Sequence, residues 1–386
     1  MRRLLRSLVM LTGLVPVPLA AQARDSGAFV VRLGDDTIAV ERYVRTPSLL
    51  VIESVSRLPQ TRRTRLIVQR GEDGRVLSYE YTNAPPTGGG GAREIVTTAE
   101  YRGDSIRVVV AQGANGPRIR TIAGARDMLP LISPIYSTHA VAITDARQHG
   151  DTILRLAGMQ RPVFYRLRFA GDTAYLTGDG DAGVLKAALD DRGVAVLDGT
   201  GTTFKVIVTR ADWFEPDSVA RRFAEEDARG RALGVLSPRD TVRARISGAA
   251  LTVAYGRPLM RGRTIFGALV PFDQVWRTGA NAATELTTDR ALVIEDDTIP
   301  AGRYSIWTIP GRERWILIIN GQTGQWGTSY DPALDVARIE IPVEAVSVPA
   351  EQFTIDIVEE HNRGALRFTW DRTRAVAHFL VDRTDR

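Results

Sequence analysis

The chain has 386 residues, of which 50 are lysine or arginine and 45 are aspartate or glutamate. It contains no cysteine, so disulfide bonds are excluded and stability must come from buried apolar surface. Only Lys186 and Lys205 are lysines, and the nearly balanced charge argues against nucleic acid as a partner, because nucleic-acid binding needs a concentrated basic face.

The first 23 residues have the pattern of a cleaved secretory signal peptide. Arginines at positions 2, 3 and 6 precede an apolar run at 8–19, and Ala21-Gln22-Ala23 supplies a small-residue cleavage motif. The apolar run is too short to span a membrane. We therefore expect export to the periplasm or the extracellular space, with a mature chain that begins at Arg24. That mature chain has no predicted transmembrane segment and carries 47 basic against 45 acidic residues.

Residues 24–212 predict an antiparallel β-rich domain. Short alternating strands are separated by a recurring Gly-Asp turn, and both residues tolerate the positive φ that tight hairpins require. The turn occurs at Gly34-Asp35, Gly103-Asp104, Gly150-Asp151 and Gly171-Asp172. This pattern is typical of a β-meander that curves into a half-barrel.

Residues 213–236 predict a connecting helix and a linker. The β pattern stops before Pro216, which suits a first helical turn, and Val219 and Phe223 lie four residues apart on one helical face. We expect the helix to span about 215–233 and to pack by that narrow stripe against one or both domains.

Residues 237–386 predict a second β-rich domain. About eight short strands separated by turns are typical of a β-sandwich, here with a jelly-roll-like spacing. No helical periodicity follows residue 234. The predicted fold class is therefore all-β, with an N-terminal antiparallel meander or half-barrel, a connecting helix and a C-terminal β-sandwich.

Several separated motifs of the second domain occur in an order that resembles a bacterial family. They are Ser237-Pro238-Arg239, Tyr255-Gly256-Arg257-Pro258, Ile265-Phe266-Gly267, Trp276-Arg277-Thr278-Gly279-Ala280-Asn281 and Pro300-Ala301-Gly302-Arg303-Tyr304-Ser305. On these motifs residues 236–381 are similar to the domain of unknown function 2911 family. The resemblance implies a secreted β-rich domain and supplies no catalytic residues, and we recognise no family in the N-terminal domain.

The chain lacks the short motifs of common metal, nucleophile and cofactor sites. Its four histidines are scattered, with no His-x-His or His-x-x-x-His pair, and neither Gly-x-Ser-x-Gly nor Ser-x-x-Lys occurs. The segment Gly178 to Gly183 fits G-x-G-x-x-G, but its two aspartates would repel a phosphate, so we interpret it as a turn. We expect neither a metal nor a cofactor.

The loop from Tyr255 to Thr284 is the candidate ligand site, because long irregular loops persist in compact domains mainly when they bind something. Arginine presents a planar donor fork that suits carboxylate or phosphate. The alternative is that its arginines pair with internal acids, such as Asp273 or Glu285, and hold the loop in place. The candidate ligand-binding residues are Tyr255, Arg257, Arg261, Arg263, Trp276, Arg277, Asn281 and Trp326.

Five of the six tryptophans lie in the second domain. Trp307, Trp315 and Trp370 fall in strands and are expected in the core. Trp276 and Trp326 stand beside glycine-containing loop sequence, where each would either anchor the loop in the core or stack on a sugar or another planar ligand.

Two functions from different classes fit these patterns. The first is a non-catalytic exported binding or interaction protein with a small polar or anionic ligand in the C-terminal domain. The second is an exported hydrolase acting on a carbohydrate or an ester, with Asp273 and Glu285 as paired carboxylates. We favour the first because the sequence carries no catalytic motif.

Overall fold

The computed structural model describes residues 25–86, 94–112, 115–178, 183–203, 205–360 and 363–382. The predicted signal peptide with its cleavage site, and the two aspartates of the glycine motif at 178–183, lie outside these residues.

The N-terminal domain is one curved, almost wholly antiparallel sheet. Its strands within the described residues are β1 Asp25–Leu33, β2 Asp36–Arg45, β3 Leu49–Ser56, β4 Arg62–Arg70, β5 Val76–Ala84, β6 Ile95–Arg102, β7 Ser105–Gln112, β8 Asn115–Ala123, β9 Leu129–Pro130, β10 Ile153–Ala157, β11 Pro162–Ala170, β12 Thr173–Gly178, β13 Val184–Asp190, β14 Gly193–Asp198 and β15 Ile207–Ala211.

The order of these strands confirms the predicted meander. It runs β8-β7-β6-β5-β4-β3-β2-β1-β15-β14-β13-β12-β11-β10-β9, so neighbours are consecutive in sequence except where β1 pairs with β15. Residues 124–128 alone join the edge strands β8 and β9, which brings the two ends of the sheet together. The sheet therefore curves around an interior.

A helix that the sequence analysis did not predict fills this interior. α1 spans Ser137–His149 and contacts β2, β14 and the neighbouring pair β9 and β10, which lie in separate parts of the sheet. All residues from Ser137 to Ile143 are buried. The interpretation of 24–212 as strands alone is wrong at this point. A helix surrounded by sheet needs no polar face and therefore shows no amphipathic stripe.

Glu41, on β2, supplies the cap that this buried helix requires. Its carboxylate accepts hydrogen bonds from the backbone N–H of Tyr136 at 3.0 Å and of Ser137 at 2.7 Å, and from the Ser137 hydroxyl at 2.6 Å. The first N–H groups of a helix have no partner within the helix, so a buried helix start depends on such an acceptor.

The connecting helix lies where the sequence predicts it. α2 spans Pro216–Glu226, and a π-helical turn follows at Asp227–Arg231. Val219, Ala220 and Phe223 pack with Val40 and Val55 of the first domain. Val40 precedes Glu41 on β2 and points to the opposite face of the sheet, so α1 and α2 cover opposite faces. Within the described residues, neither helix combines the length and apolar character that crossing a membrane requires.

The C-terminal domain is a second β structure with its own core. Its strands within the described residues are β16 Arg239–Ile246, β17 Ala249–Gly256, β18 Thr284–Thr288, β19 Leu292–Ile294, β20 Asp297–Ile299, β21 Gly302–Pro310, β22 Arg314–Asn320, β23 Asp335–Glu360 and β24 Arg363–Val381, with a 3-10 turn at Pro332–Leu334. The order is β16-β17-β18-β21-β22-β23-β24-β19-β20.

Two long strands replace the several short ones predicted after residue 334. β23 has 26 residues and pairs first with β22, through Asp335–Pro342, and then with β24 from Val343 onward. Register shifts between Ala345 and Thr354 let the strand bend without ending. Trp307, Trp315 and Trp370 are buried, as predicted.

The two domains meet where the β1–β2 hairpin turn contacts the loop after β17. The Asp35 N–H donates to the Arg261 carbonyl at 3.0 Å, and the Arg261 guanidinium pairs with the Asp36 carboxylate. Gly262 has a φ of 71°, and a Cβ there would overlap the Asp35 carboxylate. Only glycine fits this approach without rearrangement, so the loop is built to receive the hairpin.

Candidate functional site

The candidate loop, residues 257–283 between β17 and β18, is irregular but well anchored. Isolated bridges join Leu259 to Gln352, Trp276 to Thr308 and Ala282 to Trp326. The loop is therefore held against β21, β23 and the segment at 325–327, and its side chains can be assigned to the core or to the surface individually.

Tyr255 belongs to the core, and the partly buried Trp276 packs against that core. Tyr255 is 1% exposed, and its hydroxyl accepts the Ile355 N–H at 2.9 Å. The Trp276 ring stacks on Trp370 at 6.0 Å and meets Phe353 at 5.0 Å. The buried Tyr255 ring cannot line an open site, and the Trp276 ring is engaged by other aromatic rings of the core, so neither is retained as a ligand contact.

Arg257 also has a structural role. Its guanidinium pairs with the Asp240 carboxylate at 2.9 Å and donates to the Phe353 carbonyl at 3.2 Å and the Thr354 hydroxyl at 3.0 Å. Arg261 is held by Asp36 and by the Leu233 carbonyl at 3.2 Å. The alternative of internal ion pairs therefore describes both arginines, but with acids other than the expected Asp273 and Glu285.

We expect Arg261→Ala to lower the free energy of unfolding by about 2 kcal/mol, because it removes a buried charged donor that joins the two domains. Asp36 is about one third exposed and regains water, which limits the loss. Urea unfolding followed by circular dichroism and by tryptophan fluorescence is the measurement. Unchanged stability would show that the interdomain pair contributes nothing.

Arg263 and Arg277 have no acidic partner among the described residues. Arg263 donates only to backbone, to the Met260 carbonyl at 2.8 Å and to the Leu259 carbonyl at 2.5 Å. The half-buried Arg277 makes one long contact, 3.4 Å from its Nη1 to the Asn281 carbonyl. Burial lowers the pKa of both groups. For Arg263 the neighbouring Arg261 charge adds to the effect, while the charges of Glu351 and Asp36 partly oppose it.

Lys205 brings a third cation to the same place from the other domain. It lies in the segment between β14 and β15, and its ammonium donates to the Thr200 carbonyl at 3.0 Å. Burial lowers its pKa, and the charges of Arg277 and Arg263 lower it further. We name Lys205, Arg263 and Arg277 the cationic cluster. Sequence reasoning missed Lys205, whose only signal is that lysine is rare in this chain.

Asn281 and Trp326 lie beside the cationic cluster. The Gly327 N–H donates to the Asn281 carbonyl at 2.9 Å, and a Cβ on Gly327 would overlap the Arg277 side chain. Arg277 therefore crosses this glycine next to Trp326, which is 56% exposed. Trp326 remains available as a stacking surface, in contrast to Trp276.

Asp273 and Glu285 do not form the expected carboxylate pair. The Asp273 N–H donates to the Pro310 carbonyl, whereas Glu285 is paired across strands with Ser305. Five residues of β21 separate these positions, roughly 17 Å at the usual rise of a strand. Glycosidase carboxylates lie about 5–9.5 Å apart. Arg239 and Arg303 also neutralise Glu285, at 3.7 and 3.6 Å.

Metal ligation has no support in the part of the chain that the structure describes. No three His, Cys, Asp or Glu side chains there come together in a way that could hold a metal ion. The chemistry that the site offers is therefore donor groups and positive charge, with one exposed aromatic ring beside them.

Solved structures include weakly similar proteins, two of which are described here. A β-barrel-like protein of domain of unknown function DUF1849 from Brucella abortus is 11% identical, with a TM-score of 0.29, over 49% of this chain and 96% of that one. A structure described as a receptor binding domain is 8% identical, with a TM-score of 0.13, over 94% of this chain and 89% of that one. Neither likeness is strong enough to bear on fold or function.

Comparison with families gives a specific result for the second domain alone. No curated protein matches the chain. The family match covers the segment in which the sequence motifs were found, and it confirms the resemblance they indicated. Residues 237–379 of this chain match the family described as "Protein of unknown function (DUF2911)".

Proposed function

We propose that this is an exported, non-catalytic binding protein that holds a small anion at the cationic cluster. The observation that carries the proposal is the unneutralised Arg277. Its guanidinium has five N–H donors, is half-buried, and makes one long contact among the described residues. Taking a cation out of water without a partner is costly, and a bound anion would remove that cost.

The two other members of the cluster support the same reading. Lys205 and Arg263 are also partly desolvated, and the charges of Arg277 and Arg263 both repel that of Lys205. An anion between them would offset the repulsion that Lys205 experiences from both arginines. A phosphate or a carboxylate suits the flat donor fork of arginine, and Trp326 offers a planar face to a ligand with a ring.

The cationic cluster is formed by residues of both domains. Lys205 comes from the N-terminal domain, while Arg263 and Arg277 come from the C-terminal loop that the β1–β2 hairpin holds. A ligand at the cluster would touch both domains and would strengthen their contact. We therefore expect binding to stabilise the whole chain and not only one domain.

We expect inorganic phosphate to stabilise the protein and Arg277→Ala to abolish most of that effect. A ligand at one hundred times its dissociation constant adds about 2.7 kcal/mol to the free energy of unfolding. Without phosphate, the variant should melt close to the parent, because the loss of packing over Gly327 is offset by less repulsion. Thermal unfolding with and without phosphate, together with calorimetric titration, is the measurement.

Arg314→Ala is the matched control. Arg314 is an exposed arginine of the same domain that faces Glu340 at 3.6 Å, and its loss should leave the phosphate response intact. The proposal fails if the parent shows no response to phosphate. It also fails if Arg277→Ala melts far below the parent and keeps the response, because Arg277 would then be a structural residue.

A further inference from the structure

A cavity of about 360 Å³ opens in the N-terminal domain, away from the cationic cluster. Two segments line it, residues 131–139 before and within the start of α1 and residues 158–163, from the turn after β10 into the start of β11. Its walls are largely apolar and include Leu131, Pro134, Ile135, Met159 and Val163. A volume in this range is typical of small-molecule sites.

The cavity runs from an exposed rim to a buried end. Ser133, Met159, Gln160 and Arg161 are exposed at the rim, whereas Ile135, His139 and Gly158 are buried. A molecule that enters from the rim would therefore bring its leading end to His139. The chemical group at the leading end of the ligand should therefore match the hydrogen-bonding capacity of the His139 imidazole.

His139 is 4% exposed, and neither of its ring nitrogens meets a hydrogen-bond partner in the described part of the chain. Its ring lies between Tyr136, stacked at 6.5 Å, and Tyr165, edge-on at 5.9 Å. Burial lowers its pKa to about 4, so the imidazole is neutral at physiological pH. A neutral imidazole has one N–H donor and one acceptor nitrogen, and leaving both unmet in a buried place is costly.

The nearest acid at the helix start is already engaged. The Glu41 carboxylate accepts from the Tyr136 N–H and from Ser137, and burial is the sole cause of the His139 pKa shift. His139 lines the cavity, so a molecule in the cavity can supply the hydrogen-bond partner that its ring nitrogens lack. An ionised group at the buried end would lose its water among apolar walls, whereas a hydroxyl would lose little and would bond the ring.

We propose that this cavity is a second binding site, which takes a small, uncharged and mainly apolar molecule that bears a hydroxyl group hydrogen-bonded to His139. The apolar body of the ligand lies among Leu131, Ile135, Met159 and Val163. The two tyrosine rings hold the imidazole in the orientation that meets the hydroxyl. This site is independent of the anion site and of its role.

A matched pair of probes tests the hydroxyl directly. p-Cresol and toluene have nearly the same shape and differ by one hydroxyl group. We expect p-cresol to bind the full chain and to shift the NMR signals of the His139 ring. The ratio of p-cresol to toluene affinity should fall about tenfold in His139→Phe, which keeps an aromatic ring and removes both nitrogens, because one hydrogen bond is lost.

Results on the parent chain test the proposal in addition to results on the His139→Phe variant. Failure of p-cresol to bind the parent chain overturns it, and so does binding that leaves the His139 ring signals unmoved. An unchanged affinity ratio in a folded His139→Phe chain overturns it as well. His139→Gln provides a second variant, which keeps a donor and an acceptor and is expected to retain most of the preference for p-cresol.

Discussion

Replacing Trp276 with alanine is expected to lower the free energy of unfolding by about 3–5 kcal/mol. The indole ring stacks on Trp370 and contacts Phe353, and its Nε1–H donates to the Gly279 carbonyl at 3.2 Å. Its backbone exchanges two hydrogen bonds with Thr308, at 2.7 and 2.9 Å. Truncation would empty the centre of an aromatic core and release the candidate loop from it.

Trp326→Ala is the control for this prediction. Both tryptophans flank the same loop, but Trp326 is largely exposed, so its loss should change the free energy of unfolding by no more than about 0.5 kcal/mol. Urea unfolding of both variants is the measurement. Equal, small effects would contradict the placement of the Trp276 ring in the core.

Local patterns were sufficient for most of the fold. The Gly-Asp turns and the strand alternation predicted the meander, because hairpin geometry depends on residues adjacent in sequence. Pro216, Val219 and Phe223 predicted α2 for the same reason, since an exposed helix must separate its two faces. The sequence analysis did not predict α1, because its centre is an unbroken apolar run. Such a run does not distinguish a buried helix from a buried strand; it comprises Ala140, Val141, Ala142 and Ile143.

The candidate site was predictable only as a region. The Arg261 partner, Asp36, lies 225 residues away, and the Arg257 partner, Asp240, lies on the neighbouring strand β16. No local pattern links such residues. The same limit applies to Lys205, which joins the cluster through the docking of the two domains. Trp276 and Trp326 have similar sequence surroundings, and only the packed core separates them.

Glu41 and His139 are expected to give opposite pH dependences that nearly cancel in the parent chain. Burial raises the pKa of Glu41 from 4.5 to about 7 and lowers that of His139 from 6.5 to about 4. Hydrogen bonds from Ser137 and Tyr136 only partly oppose the Glu41 shift. Both groups are therefore neutral in the folded chain between pH 4.5 and 6.5, while both are charged in the unfolded chain.

The sign of each contribution follows from the protons bound. For Glu41 the folded chain keeps a proton that the unfolded chain loses, so its contribution to stability falls as pH rises from 4.5 towards 7. For His139 the unfolded chain binds a proton that the folded chain does not bind. The contribution of His139 to the free energy of unfolding therefore falls as pH drops from 6.5 towards 4. Each slope is about 1.4 kcal/mol per pH unit.

Removing one group at a time, and subtracting the parent curve, should expose the slope that the removed group contributes. Between pH 4.5 and 6.5, Glu41→Gln is expected to lose about 2 kcal/mol of stability relative to the parent as pH falls, because the variant lacks the contribution that Glu41 makes to the parent at low pH. His139→Phe is expected to gain a similar amount relative to the parent over the same range, because the variant lacks the destabilisation that the buried His139 causes in the parent as pH falls. Urea unfolding at half-unit pH intervals, with the parent curve subtracted from each variant curve, removes the contribution of all other groups. Difference curves that stay flat would mean that neither group titrates as its buried position requires. Difference curves with slopes of the same sign would mean that only one of the two assignments is correct.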